Sequence, residues 1–143
     1  MIIKKANKSN LKEITILMRK ELSKQPFNER DSINSIMKSL SFYLKKAYVY
    51  FIADKKIIGV VVFQIEQWWE GKVIIIQDLI IKEESNKMGL ERKLMKFVEK
   101  YAKRVKAKRI YFETNKKSKA VKFYQELYYK INKNRISMSK KIK

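Results

Sequence analysis

Asp78-Leu79-Ile80-Ile81-Lys82-Glu83-Glu84-Ser85-Asn86-Lys87-Met88-Gly89-Leu90-Glu91-Arg92-Lys93-Leu94-Met95 joins two patterns in one short stretch. An apolar run from Val73 to Ile81 passes into a polar loop that holds a single glycine, Gly89. A helical pattern follows at once. Leu90, Leu94, Phe97, Val98, Tyr101, Ala102 and Val105 recur every three or four residues, which predicts one apolar face of a helix roughly four turns long. A strand feeding a helix in this way aims backbone N–H groups without helical partners at one point. The positive end of the helix dipole lies there too, so the spot favours an anion such as a phosphate. An ordinary turn has the same local appearance, so the elements on either side decide between the two readings.

Upstream, residues 2 to 5 alternate as a short strand. Ser9 or Asn10, answered by Glu13, predicts the start of a helix whose apolar face holds Leu11, Ile14, Leu17, Met18 and Leu22. Gln25-Pro26-Phe27-Asn28 should break it, because proline cannot continue a helix interior. A second helix is expected from about Glu29 to Lys45, with Ile33, Ile36, Met37, Leu40, Tyr43 and Leu44 on one side. Tyr48 to Ala53 and Ile57 to Ile65 read as strands flanking a polar turn, Asp54-Lys55-Lys56. Gln67-Trp68-Trp69-Glu70-Gly71 is the next connection. The run from Val73 to Ile81 is apolar enough to suggest burial on both faces. Downstream, Arg109 to Thr114 reads as a strand, Ser118 to Tyr128 as a short helix, and Tyr129 to Ile142 as a hairpin around Lys133-Asn134. The expected order is β-α-α-β-β-β-α-β-α-β-β, a mixed α/β sheet in one layer with helices on both faces. Residues 1–143 are read as a single domain.

Composition bounds the chemistry. A chain of 143 residues with 45% hydrophobic side chains is long enough for one real core. The absence of cysteine removes disulfides and thiolate chemistry, and the absence of histidine removes the usual base and metal ligand. No metal site is expected, and proton transfer falls to carboxylates, tyrosine, lysine or water. No apolar run reaches the roughly 20 residues that span a bilayer, and Met1-Ile2-Ile3-Lys4-Lys5 lacks a signal-peptide core. A cytoplasmic protein without membrane association is expected. The net charge of +21 favours polyanions, which supports some nucleic-acid association. Lysines that only solvate the surface would give the same total.

The element order and two motifs resemble the GNAT superfamily of acetyl-CoA-dependent N-acetyltransferases over essentially the whole chain. The family loop, Arg/Gln-x-x-Gly-x-Gly/Ala, stands here as Asn86-Lys87-Met88-Gly89-Leu90-Glu91, followed by Arg92. A later family motif, Asn-x-x-Ala-x-x-x-Tyr-x-x-x-Gly-Phe, matches from Lys117 to Tyr129 at Ala120, Tyr124 and the closing aromatic. Asn86 and Glu91 depart from the loop pattern, and a carboxylate at position 91 would face a bound pyrophosphate unfavourably. The resemblance implies that acetyl-CoA is a substrate. Its pantetheine arm would pair with the backbone of Leu79, Ile80 and Ile81, and its diphosphate with residues 86–92. It also implies Tyr124 as the proton donor to the leaving thiolate. For the base, Glu113 stands first by likeness to the ribosomal-protein branch of the family. Asp78 is second, as an acid in an apolar strand whose pKa should be raised, and a water relay is a third route. The acceptor is an amine: a protein N-terminus, a lysine or a small amine. Glu66 and Glu70, beside Trp68 and Trp69, are candidates to attract it; one tryptophan is a candidate for the acceptor pocket or a dimer contact, but packing alone is the commoner role for both. Two other functions fit the same fold: a basic nucleic-acid-binding module, or a catalytically inactive CoA-binding protein. Monomer and homodimer are both open.

Overall fold

A computed structural model describes residues 1–24, 29–85 and 87–143. They form two compact units, Met1–Glu113 and Thr114–Lys143. The first holds β1 (Ile2–Lys5), α1 (Leu11–Leu22), α2 (Ile33–Lys46), β2 (Tyr48–Ala53), β3 (Ile57–Trp68), β4 (Gly71–Ile81), α3 (Lys87–Arg104) and β5 (Arg109–Tyr111). The second holds α4 (Ala120–Glu126).

The sheet of the first unit runs β1-β2-β3-β4-β5, antiparallel as far as β4 and parallel between β4 and β5. Successive side chains of a strand point to opposite faces, and β2 shows the consequence. Val49 and Phe51 join Ile14, Leu17, Met18 and Leu40 in the core under α1 and α2. Tyr48 and Tyr50 join Phe63, Phe97 and Tyr101 in an aromatic cluster with ring centroids 4.7 to 6.4 Å apart. Helices therefore lie on both faces of a mixed sheet, as expected. In β4, adjacent Val73 and Ile74 are both fully buried, while Gln77 is exposed, so burial on both faces holds for part of the strand.

Several element ends differ from the sequence reading. A 3-10 turn, Lys8–Asn10, precedes α1, and Asn7 and Asn10 cap it reciprocally. Glu13 is not the capping partner: its Oε2 accepts from the Ile57 N–H at 2.7 Å and ties α1 to β3. Helix α2 begins at Ile33 rather than near Glu29, because the Ser32 Oγ accepts from the Ser35 N–H at 3.1 Å and closes the first turn there. Strands β3 and β4 extend into the expected Gln67–Gly71 connection, leaving Trp69 and Glu70 between the paired Trp68 and Gly71. Gly71 takes φ +131°, which glycine tolerates and a side chain does not. The helix expected from Leu90 starts at Lys87, so Gly89 lies in its first turn and not in a loop. In the second unit, a turn does fall at Lys133-Asn134, but residues 129–143 form no strand where a hairpin was expected. The expected break at Gln25–Asn28 lies outside the described residues.

Gly59 in β3 marks the tightest packing of the sheet. A Cβ there would stand 2.6 Å from Ile81 Cδ1 and 2.8 Å from Ile52 Cγ2, both on buried side chains. Overpacking of this kind costs roughly 1–3 kcal/mol. Gly59→Ala is expected to lower the unfolding free energy by that amount, read as a lower urea midpoint with an unchanged slope; an unchanged midpoint would mean the two isoleucines move aside freely.

Candidate active site

Two features of β4 shape the site. The first is its pairing. Strand β4 runs beside β3 from Gly71 to Ile81, but beside β5 only from Val73 to Ile75. From Ile76 to Ile81, among the described residues, the side of β4 turned towards β5 has no partner strand. The second is a register shift. Asp78 faces Val62 while Ile76 faces Phe63, which leaves Gln77 as an extra residue on β4. Such a bulge bends a strand and re-aims the side chains after it. The ladder with β5 stops one residue before this irregularity. Leu79, Ile80 and Ile81, the expected cofactor-pairing residues, stand on the unpaired length.

Asp78 follows the bulge and turns to the face covered by α1 and α2. It lines a cavity of about 250 Å³ with Met18 and Leu22 of α1, Ile36, Leu40 and Tyr43 of α2, and Glu29 and Asp31 ahead of α2. Burial among these apolar side chains, reinforced by the Glu29 carboxylate, pushes the Asp78 carboxyl up from 3.8 to about 6. Burial and then the charge of Asp78 raise the phenol of Tyr43 above its ordinary value. The cavity is thus mostly apolar on its helix walls, where Ser35 and Ser39 of α2 also line it, and carries acids at Asp78, Glu29 and Asp31. A chain of net charge +21 holds here three carboxyl groups around one opening. Glu29 and Asp31 were not singled out by the sequence; acids just before a helix look like any solvated helix start.

The other expected residues are placed differently. Glu113, first choice for the base, is exposed beyond the end of β5 and accepts from the Tyr111 hydroxyl at 3.3 Å. Tyr124 lies in α4 of the second unit, its ring 5.4 Å from that of Phe123 and 6.3 Å from that of Tyr129. Glu66 accepts from the Trp68 indole N–H at 3.1 Å. Glu70 holds the Arg109 guanidinium through two bonds of 2.6 and 3.0 Å. Neither acid lines the cavity, nor does either tryptophan. Trp68 packs beside Tyr111, and Trp69 is fully exposed at the β3–β4 turn.

At the start of α3, Lys87, Met88 and Gly89 form the first turn, with Leu90 buried behind them and Arg92 and Lys93 exposed. Asn86 lies outside the described residues. Glu91 corrects an expectation. It is only 4% exposed, on the buried side of α3 with Leu90, Leu94, Met95 and Val98. Gly89, Arg92 and Lys93, by contrast, are exposed. Among the described residues, no group of three potential ligands could hold a metal ion, and no helix is long and apolar enough to cross a membrane.

Three solved structures show how widely this architecture is shared. A possible acetyltransferase from Clostridium difficile 630 superposes with a TM-score of 0.86 at 14% identity, over 99% of this chain and 98% of that one. An aminoglycoside 6'-N-acetyltransferase from Acinetobacter haemolyticus gives 0.80 at 18% identity, over 100% of both chains. AAC(6')-Iy in complex with the bisubstrate analogue CoA-S-monomethyl-acetylneamine gives 0.78 at 15% identity, over 99% and 98%. No curated protein matches the sequence. A sequence model of the acetyltransferase (GNAT) family, however, matches residues 14–128, and with the parted strands and the helix that follows them this places the chain in that family.

Proposed function

We propose that this chain transfers an acetyl group from acetyl-CoA to the amine of an acceptor held in the Asp78 cavity. The observation that carries the reading is the unpaired length of β4 between Ile76 and Ile81, on the same strand as a carboxyl poised near neutral pH. An extended amide-bearing arm fits that length as an added strand would. The first turn of α3, with Arg92 and Lys93 exposed beside it, suits a diphosphate. Acetyl-CoA supplies an activated acyl carbon and a thiolate leaving group.

The residues do the rest by moving protons. An amine arrives as an ammonium, which Glu29 and Asp31 attract, and it must lose a proton before its nitrogen can attack. Asp78, ionised above about pH 6, accepts that proton. As the N–C bond forms and the C–S bond breaks, the sulfur needs a proton in return. The later family motif supports Tyr124 as its source, through the phenol Oη. Asp78 replaces Glu113 as the favoured base because its environment raises its pKa towards the working range, whereas Glu113 stands exposed.

A second reading has one observation behind it. Thr114–Lys143 holds ten Lys and Arg against one acid, Glu126, a denser positive charge than the rest of the chain. That supports additional, salt-sensitive association with polyanions such as nucleic acid.

Calorimetry with acetyl-CoA tests the main reading; no heat at millimolar cofactor would end it. With a turnover assay in hand, kcat/KM is expected to rise through about pH 6 and level off. Asp78→Asn should remove that limb and lower kcat on the order of a hundredfold. Tyr124→Phe should lower kcat similarly while leaving the Kd for acetyl-CoA unchanged; a Tyr124→Phe enzyme of full activity would remove the donor role.

Asp78 also ties folding stability to pH. Its folded pKa, about 6, lies above its unfolded value of 3.8. The neutral carboxyl is therefore the form the fold prefers: its contribution is complete below about pH 4 and is lost as pH rises through about 6. The loss is about 3 kcal/mol at most. Asp78→Asn should be the more stable protein at pH 8 and should lose this dependence, as read by urea midpoints at pH 5 and pH 8.

A further inference from the structure

Glu21 is a buried acid that the proposed chemistry does not use. It lies on α1 at 5% exposure, one turn from Met18 and next to Leu22, both of which line the Asp78 cavity. Its Oε1 accepts from the backbone N–H of Glu83 at 3.1 Å, in the turn Lys82–Ser85 that leads from β4 towards α3. Lys24 stands over both groups, 3.3 and 3.4 Å from the two Glu21 oxygens and 3.2 Å from Glu83 Oε2. The turn is held at two further points. The Lys82 N–H donates to Ile58 O at 2.8 Å, and Lys20 pairs with Glu84 at 3.2 Å.

A carboxylate on the buried face of an amphipathic helix is costly to desolvate, and an apolar side chain of similar size is often as good or better for stability alone. What an apolar side chain cannot do is accept from the Glu83 amide. We propose that Glu21 is a positioning residue: it fixes the β4–α3 turn, and through it the first turn of α3, so that the N–H groups there are set for a diphosphate before the ligand arrives. This rests on the reading that the first turn of α3 takes the diphosphate of acetyl-CoA. The energetic logic is preorganisation, since a turn already held need not be ordered on binding. Glu21 also joins the wall of the acceptor cavity to the cofactor turn through one side chain.

The test compares the unaltered protein, Glu21→Met and Glu21→Gln by calorimetry with CoA and with acetyl-pantetheine, which lacks the diphosphate. Glutamine keeps an oxygen that can accept from the Glu83 N–H; methionine keeps only the volume. Glu21→Met is expected to unfold at a urea midpoint close to that of the unaltered protein, to bind CoA about tenfold more weakly, and to bind acetyl-pantetheine unchanged. Glu21→Gln should recover most of the CoA affinity. Amide exchange at Glu83 should quicken in Glu21→Met and not in Glu21→Gln. Equal CoA affinity in the unaltered protein and Glu21→Met overturns the proposal while leaving the cofactor reading in place, as does an equal loss for both ligands. If Glu21→Met fails to fold, Glu21→Gln carries the test, and a tenfold loss of CoA affinity in it with slow Glu83 exchange overturns the proposal. Failure of the unaltered protein to bind CoA overturns the cofactor reading itself, and the proposal with it.

Discussion

The parting of β4 from β5 is the constraint on which the site depends. Backbone N–H and C=O groups must find partners or water, and a sheet ordinarily supplies them along its whole length. Here β4 keeps its antiparallel ladder with β3 throughout but shares only Val73, Ile74 and Ile75 with β5. Just past that point the extra residue Gln77 bends the strand and presents Asp78 to the α1–α2 face. One irregularity thus accompanies both halves of the proposed site: the backbone without a partner strand, and the acid of the α1–α2 cavity. The strand can carry such an interruption because ten of its eleven residues, all but Gln77, pair with β3 on its other edge, and its far end is locked against Gly59.

Much of this architecture is legible in the amino-acid sequence because strands and helices have different periods. Strand β2 begins and ends where the β-branched and aromatic run does, and the polar turn Asp54-Lys55-Lys56 marks its boundary. Helix starts were less legible, since they depend on which of several polar residues closes the first turn. Ser32 wins over the stretch near Glu29 by a single side-chain bond, and the polar Ser85-Asn86-Lys87 looks the same whether it precedes a helix or begins one. Trp68 and Trp69 left two readings open, packing or a contact with an acceptor or a second copy. Two adjacent aromatics suggest a function, yet one lies tilted beside Tyr111 and the other is exposed at a turn.

The site was legible only where a residue contradicts its surroundings. Asp78 is such a case: an acid in an apolar strand must be paired, neutral or functional. Glu91 and Glu21 follow the same rule. Glu91 recurs with the apolar face of α3, and Glu21 falls four residues after Leu17 and three after Met18, on the face that holds Leu22. Helical spacing alone could have marked Glu21 as inward, but not the Glu83 amide it meets. Glu29 and Asp31 carry no such contradiction. Their role comes from a cavity that α1, α2 and β4 make together, and no local pattern records it.

Charge is where the whole molecule and the site differ in sign, and distance reconciles them. A field of +21 favours polyanions, but at physiological salt it fades over about 8 Å. Within the cavity the nearest charges decide, and those are Asp78, Glu29 and Asp31. In the proposed reaction the two substrates carry opposite charge. An overall basic surface with one acidic opening serves both without forcing either past a like-charged wall. The same separation explains why Asp78 keeps a raised pKa in so basic a protein. Burial between α1 and α2 acts first on Asp78, and the Glu29 carboxylate, which lines the same cavity, adds to it.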